Sequence, residues 1–291
     1  MPRLFCFGLG FSATVFARQM QQQGWQVAGT CRTEEKEATL RADGIEAFLF
    51  GDAPLADPAS ALAGTTHLLA SVPPGDDGDP VLKAHREDIK AVTGLEWISY
   101  LSTTGVYGDR RGGYVNETSM LLPTTDRGKK RVRAELIWQD LAAAMDVPLH
   151  MFRLAGIYGP GRNQLVSLRK GKARRVDKPG QVFSRIHVDD IARILAAAAT
   201  SGLPTQPFNV CDDEAAPPQD VVAYAADLLG MDPPPLMPFE DAEMSPMGRS
   251  FYAESKRVKN DRIKEELGVS LTYPTYREGV KALAEAGDGQ A

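Results

Sequence analysis

The sequence predicts an α/β fold, a doubly wound parallel sheet with a smaller, mainly helical C-terminal lobe. Three observations predict it. Short apolar runs alternate with helical patterns over the first two-thirds of the chain. The first run, Arg3-Leu4-Phe5-Cys6-Phe7, ends in Gly8-Leu9-Gly10-Phe11-Ser12-Ala13, a G-x-G-x-x-A turn that leads straight into a helical stretch. The last third loses strand signal and gains proline, at Pro217-Pro218, Pro233-Pro234-Pro235, Pro238 and Pro246.

Taken in order, the predicted strands are 4–7, 26–30, 47–50, 67–70, 97–101 and 149–153, with a late one at 208–211. Helices are predicted at 12–23, stopped by Gly24, and at 34–42, 81–93, 132–145 and 191–199. Alternation of this kind gives βαβ units and places ligands at the C-terminal ends of the strands. Beyond residue 213 the pattern gives helices at 219–229, 260–267 and 276–284. Residues 232–247 read as a mobile loop or lid, and 288–291 as a frayed tail. The expected division is 1–160 with 186–212 as a dinucleotide-binding domain, and 161–185 with 213–291 as a smaller substrate or lid domain.

The glycine turn has a mechanical meaning. Gly8 lets the chain turn sharply off the strand, and Gly10 leaves the backbone open to a pyrophosphate. Ala13 is small enough for the helix to lie close to the sheet. The first-turn amides around Phe11, Ser12 and Ala13 then point at the phosphate, with the positive end of the helix dipole behind them. This is a Rossmann-type signature. An NAD site usually carries Asp or Glu at the end of the second strand to hold the ribose 2′-hydroxyl. Here the residues are Thr30-Cys31-Arg32-Thr33, with Arg32 available to grip a 2′-phosphate. The expected cofactor is NADP, and Glu34 and Glu35 keep NAD open. Asp52 after the third strand, and Ser71, Val72 and Pro73 after the fourth, are expected on the adenosine and ribose side.

Composition narrows the class. Hydrophobic residues make up 43% and charged residues 24%, ordinary values for a globular protein. A net charge of −5 argues against nucleic acid or an anionic membrane as the main partner. Three separated cysteines, Cys6, Cys31 and Cys211, suggest neither a disulfide framework nor a zinc site. No run approaches the roughly 20 apolar residues of a membrane span. A cytoplasmic protein with a small-molecule partner is expected, as a monomer or homodimer.

Three further stretches complete a pattern. They are Leu101-Ser102-Thr103-Thr104-Gly105-Val106-Tyr107-Gly108, Arg153-Leu154-Ala155-Gly156-Ile157-Tyr158-Gly159-Pro160-Gly161, and Arg185-Ile186-His187-Val188-Asp189-Asp190. With the glycine turn, and in this order, they resemble the extended short-chain dehydrogenase/reductase family, the NAD(P)-dependent epimerases and dehydratases. The resemblance implies a Rossmann domain with a C-terminal substrate domain, and a catalytic Ser or Thr, Tyr and Lys. Thr103 matches the first. The Tyr and Lys lie in Y-x-x-x-K, with a Glu four residues past the Lys. Anchored on Glu135, the Lys position is Arg131 and the Tyr position is Arg127. The family's tyrosine cycles a proton because a nearby cation lowers its pKa. Arginine stays protonated, with a pKa above about 12, so it can hold an anion but cannot shuttle a proton at neutral pH.

Other residues are weaker stand-ins. Tyr107 and Tyr158 sit in structural Y-G turns, Tyr114 on a glycine-flanked loop, and His187 beside Asp189-Asp190, which read as a helix N-cap. Arg185 is out of register with the family's diphosphate-binding arginine, which places a nucleotide-sugar substrate in question. Arg249 is a further candidate for a phosphate. Two functions follow. One is an NAD(P)-dependent reductase, epimerase or dehydratase acting on a small, anionic substrate. The other is a non-catalytic NADP-binding sensor or partner-binding protein that has lost the Tyr/Lys pair.

Overall fold

In the computed structural model, which describes residues 1–289, the elements follow chemistry that can be read along the chain. Strand β1 (Arg3–Phe7) is buried along its whole length and runs through the glycine turn into helix α1 (Phe11–Gln22). Next come β2 (Gln26–Cys31), α2 (Glu34–Ala42) and β3 (Glu46–Leu49). Helix α2 begins where the Thr33 side chain accepts the Lys36 N–H, with Glu34, Glu35 and Glu37 in its first turn and Arg41 in its last. Helix α3 (Pro58–Leu62), β4 (His67–Ala70) and α4 (Pro80–Lys90) follow, the last capped by Asp79 with Pro80 in the first turn.

Strand β5 (Trp97–Thr103) ends in a single 3-10 turn, Thr104–Tyr107. After β6 (Tyr114–Val115), helix α5 (Asp126–Met145) begins six residues before the expected 132, so the whole basic run 127–133 is helical. Beyond it lie β7 (Leu149–Leu154), β8 (Gly156–Tyr158), α6 (Gln164–Arg169), β9 (Arg175–Asp177), β10 (Arg185–His187) and α7 (Val188–Ala199). The chain continues through β11 (Gln206–Val210), α8 (Pro218–Leu228), β12 (Leu236–Pro238), α9 (Pro246–Phe251), β13 (Arg257–Val258), α10 (Asp261–Glu265) and α11 (Tyr276–Glu285).

Seven strands form one sheet in the order β11-β7-β5-β4-β1-β2-β3. The pairs β2–β3, β1–β2, β1–β4 and β4–β5 are parallel. The order reverses between β1 and β4, the switch point at which doubly wound sheets bind ligands. Helix α5 covers one face, where Trp138 is fully buried among Phe5, Leu68 and Tyr100.

Two compact units result. The first holds Met1–Thr103, Asp126–Arg153 and Ile191–Phe208. The second holds Thr104–Thr125, Leu154–Asp190 and the described chain from Asn209, so 104–125 and 154–160 group with the later residues. The second unit is built on α6, α8 and α11, packed around Tyr158, Leu165, Val222 and Leu283. Three two-stranded parallel ladders, β8–β10, β9–β12 and β6–β13, complete it.

Those ladders correct the expectation of little strand beyond residue 213. Strands of two or three residues are too short to show a period in sequence. Strand β12 also lies inside the segment expected to be a loop. The tail is likewise not frayed through Gly289. The Asp288 carboxylate accepts the Gly161 N–H at 2.7 Å and the Asn163 Nδ2–H at 2.5 Å. Gln290 and Ala291, the rest of that expected tail, lie outside the described residues.

Candidate functional site

The glycine turn is a rigid cradle held from both neighbouring strands. Gly8 has φ +91°, and a Cβ there would stand 2.8 Å from Ser71 Oγ and 3.0 Å from Val72 Cγ2, so glycine is required. Thr30, at the end of β2, accepts the Gly8 N–H on its hydroxyl at 2.8 Å and the Leu9 N–H on its carbonyl at 2.7 Å. The Ser71 hydroxyl donates to the Gly8 carbonyl. Gly29 allows β1 and β2 to close at this point, since a Cβ there would lie 2.5 Å from the Cys6 carbonyl oxygen.

Gly10 differs in kind. Its backbone is extended, and a Cβ would meet nothing within 4 Å. The space over Gly10 is open, as an approaching pyrophosphate requires. Helix α1 starts there with no side-chain cap and no acid in its first turn, so the positive end of its dipole lies at Phe11, Ser12 and Ala13. Ala13 is buried against the sheet.

Arg32 and Asp52 both face solvent, and neither side chain has a hydrogen bond or ion pair among the described residues. They share a wall. The Phe50 N–H donates to the Cys31 carbonyl at 2.9 Å, and the Arg32 stem lies 3.7 Å from where a Gly51 Cβ would be. Ser71 and Val72 are half-buried and Pro73 is exposed, all three directly after β4.

Thr103 ends β5, and Arg127, Arg131 and Glu135 follow one another at four-residue steps along α5. Their exposure falls in that order. Arg127 is exposed, Arg131 half-buried and Glu135 buried. Arg131 Nη1 donates to the Leu101 carbonyl at 2.5 Å and to Tyr100 Oη at 3.0 Å, and its guanidinium lies 5.5 Å from the Tyr100 ring centre. Arg131 is thus anchored on the strand that carries Thr103. Burial pushes the Tyr100 hydroxyl up, despite the Arg131 charge, so Tyr100 is no acid/base at neutral pH. Glu135 accepts from Ser102 Oγ at 2.5 Å and from Arg153 Nε and Nη2 at 3.2 and 2.9 Å. This buried triad joins β5, α5 and β7 beside Thr103. Sequence reasoning used Glu135 only as a register mark and missed Tyr100 altogether. Nothing in a buried strand's composition signals that an arginine will bond its tyrosine.

The remaining candidates lie in the second unit, where the Tyr158 hydroxyl and His187 Nε2 are buried without a hydrogen-bond partner among the described residues. Tyr107 Oη donates to Asn209 Oδ1 at 2.6 Å. Tyr158 is buried, with its hydroxyl turned toward Gly279, and burial beside Asp212 and Asp190 pushes its pKa up. Tyr114 is exposed beneath the Arg257 guanidinium. His187 Nδ1 accepts the Asp189 N–H at 3.2 Å, and burial lowers its pKa. Asp189 and Asp190 are not a cap. They lie within the first turn of α7, where Asp190 accepts the Thr272 and Tyr273 amides at 2.7 and 3.0 Å. Arg185 Nη1 donates to the Phe183 and Ala216 carbonyls at 2.7 and 3.1 Å. Arg249 Nη2 donates to the Ala242 carbonyl at 2.9 Å. No group of three or more His, Cys, Asp or Glu residues among the described residues forms a metal site.

Comparison with known proteins places this geometry. A UDP-glucuronic acid 4-epimerase from Bacillus cereus, in complex with UDP-glucuronic acid and NAD, superposes with a TM-score of 0.79 at 16% identity over 98% of each chain. The chain therefore shares the Rossmann-like α/β fold of that epimerase. A functionally unknown conserved protein from Silicibacter pomeroyi DSS is 50% identical, with a TM-score of 0.89 over 99% of this chain and 100% of its own. The chain belongs to the same family as that protein. Among curated sequences, Protein YeeZ of Escherichia coli (strain K12) is 28% identical over 288 residues, 94% of this chain and 97% of its own. A 3-diazoavenalumate denitrifying reductase from Streptomyces sp is 31% identical over 160 residues, 51% of each chain. No family model matches. No helix among the described residues is long and apolar enough to cross a membrane.

Proposed function

We propose that the chain is an NADP-dependent reductase on an epimerase/dehydratase-type scaffold, acting on a small anionic molecule. One observation carries the reading. The glycine turn has the geometry a dinucleotide would need, whereas the positions that the resemblance gives to proton handling hold Arg127 and Arg131. A scaffold that kept the cradle and exchanged an acid/base pair for two fixed cations suits hydride delivery better than epimerisation or dehydration, which need a proton cycled at the substrate. The partial likeness to a denitrifying reductase is in keeping with it.

The residues fit the cofactor. Gly10 and the first turn of α1 would hold the pyrophosphate, Arg32 the 2′-phosphate, and Asp52, Ser71, Val72 and Pro73 the adenosine side. The nicotinamide, when reduced, supplies the hydride. Thr103 would orient the substrate oxygen. Arg127 would hold the substrate's anionic group or stabilise the charge that develops, and Arg131, anchored on Leu101 and Tyr100, would fix the electrostatics of that end. The proton that completes the product comes from water. Arg185 is tied to two carbonyls, which speaks against a nucleotide-sugar diphosphate as substrate. The protein would work in the cytoplasm, as a monomer or homodimer.

Two measurements test this. Calorimetry should show NADP(H) binding more tightly than NAD(H), with the preference lost in Arg32→Ala. NADPH fluorescence should decay with small anionic electrophiles, whereas direct product analysis should find no turnover of epimerase substrates until Arg127→Tyr with Arg131→Lys restores a proton shuttle. Binding of NADPH with no decay against any substrate would favour the non-catalytic sensor. Ordinary epimerase activity in the unaltered protein would refute both readings.

A further inference from the structure

Helix α4 breaks its own pattern at its centre. The backbone leaves helical geometry at His85 (φ −130°, ψ 18°), with no proline or glycine in the helix interior to account for it. The break delivers a buried imidazole into an aromatic setting. His85 is 1% exposed and lies 5.8 Å from the Phe7 ring, stacked, and 5.3 Å from the Phe50 ring. Both ring nitrogens are used. Nε2 accepts the Leu55 N–H at 3.1 Å, and Nδ1 stands 2.8 Å from Asp88 Oδ2. An acceptor at Nε2 places the ring proton on Nδ1, where it donates to Asp88.

What His85 touches gives the break a purpose. Phe7 immediately precedes Gly8 of the cradle. Phe50 and Leu55 are the two ends of the loop after β3, which carries Gly51 and Asp52. That loop starts on the Cys31 carbonyl beneath Arg32 and finishes on His85. Leu55 is 5% exposed, so its amide needs an acceptor inside the protein, and His85 is the one it has.

We infer that His85 is a positioning residue for the adenosine half of the dinucleotide, fixing the Phe50–Leu55 loop, and with it Asp52 and the floor under Arg32, through the Leu55 amide. The inference rests on the cofactor reading above and adds to it a residue outside the cradle, oriented in turn by Asp88.

The test uses the full chain and three variants. His85→Phe keeps an aromatic ring between Phe7 and Phe50 and removes the acceptor. His85→Gln offers an amide oxygen to Leu55. Asp88→Ala changes a half-exposed side chain, so it carries the test if His85→Phe fails to fold. Calorimetric titrations with NADP⁺, 2′,5′-ADP and nicotinamide mononucleotide are paired with amide hydrogen exchange over residues 51–55. His85→Phe should weaken NADP⁺ and 2′,5′-ADP about tenfold, the worth of one buried hydrogen bond. It should leave nicotinamide mononucleotide unchanged and speed exchange in the loop. His85→Gln should restore both, and Asp88→Ala should show a smaller loss of the same kind. Unaltered 2′,5′-ADP affinity in His85→Phe, or in Asp88→Ala should the former not fold, would overturn the inference. So would equal weakening of both cofactor halves, or His85→Gln behaving as His85→Phe. If the unaltered protein binds neither NADP⁺ nor NAD⁺, the cofactor reading itself fails and the role of His85 falls with it.

Discussion

Replacing Gly10 by valine separates binding from folding more cleanly than any other change at the cradle. Gly10 has φ −82° and ψ −163°, an extended backbone that any residue adopts, and an added Cβ meets nothing within 4 Å. The free protein therefore accommodates the side chain, at a cost limited to the poorer N-cap preference of valine, about 1 kcal/mol. The penalty falls on the ligand. Valine fills the space a pyrophosphate needs and forfeits its charge-assisted hydrogen bonds to the first-turn amides, each worth about 1.5–3 kcal/mol. Losing two of them weakens NADP(H) by about 10²–10⁴-fold. The assay is calorimetric titration with NADP⁺ and NADPH, alongside denaturant unfolding of the same preparations. Gly8→Ala is the control of opposite sign. With φ +91° and Ser71 Oγ 2.8 Å from the new Cβ, it should cost about 1–3 kcal/mol of stability before any ligand is added. Gly10→Val protein that binds NADP(H) as the parent does, or that loses stability in step with binding, would refute the reasoning.

Glu135→Leu leaves Arg153 without its carboxylate partner in a buried setting and should cost about 3–5 kcal/mol, measured by equilibrium unfolding. Combining it with Arg153→Met should recover most of that, and a single variant as stable as the parent would contradict the role given to the triad. Asp212 is buried and its carboxyl is pushed well above the ordinary range by desolvation. The folded state then holds a proton that the unfolded state releases, so this group's contribution is full below the ordinary carboxyl range and is lost as pH rises. Asp212→Asn should match the parent in acid and exceed it in stability near neutrality, and a gap that does not widen with pH would count against this. Arg131→Ala removes two hydrogen bonds from the end of β5 and should lower stability by about 1–3 kcal/mol, without the loss of NADP affinity expected of Gly10→Val. A fall in affinity as large as that of Gly10→Val would mean that Arg131 holds the cofactor directly.

The sheet was legible because its strands are short apolar runs separated by helices with readable ends. Gly24, the Thr33 cap and the Asp79-Pro80 start each mark a boundary through local chemistry. The glycine turn was legible through the spacing of Gly8, Gly10 and Ala13, although the contacts that hold Gly8 come from Thr30, Ser71 and Val72. What stayed hidden depends on residues far apart. Tyr100 meets Arg131 across 31 positions, and Glu135 meets Ser102 across 33. His85 reaches Leu55 across 30, from a helix whose pattern gives no sign of a break. The short ladders of the second unit are closed by pairing rather than by strand propensity, so their own two or three residues carry little signal.

Thr30 has one more consequence, for how such a protein changes over generations. Its side chain is 1% exposed, and both its hydroxyl and its carbonyl are taken up by the glycine turn. A carboxylate introduced there would be a buried charge cut off from water, and the lineage would lose the turn before it gained a new ribose contact. Gly29 beside it admits no side chain at all. Two residues further on, Arg32 stands in solvent with no side-chain hydrogen bond or ion pair among the described residues, whereas Thr33, also exposed, caps α2 through the Lys36 N–H. On the proposed cofactor reading, nucleotide preference can therefore drift at Arg32 while the strand beneath it stays frozen, and a designer who wants to reprogram it starts at that one position.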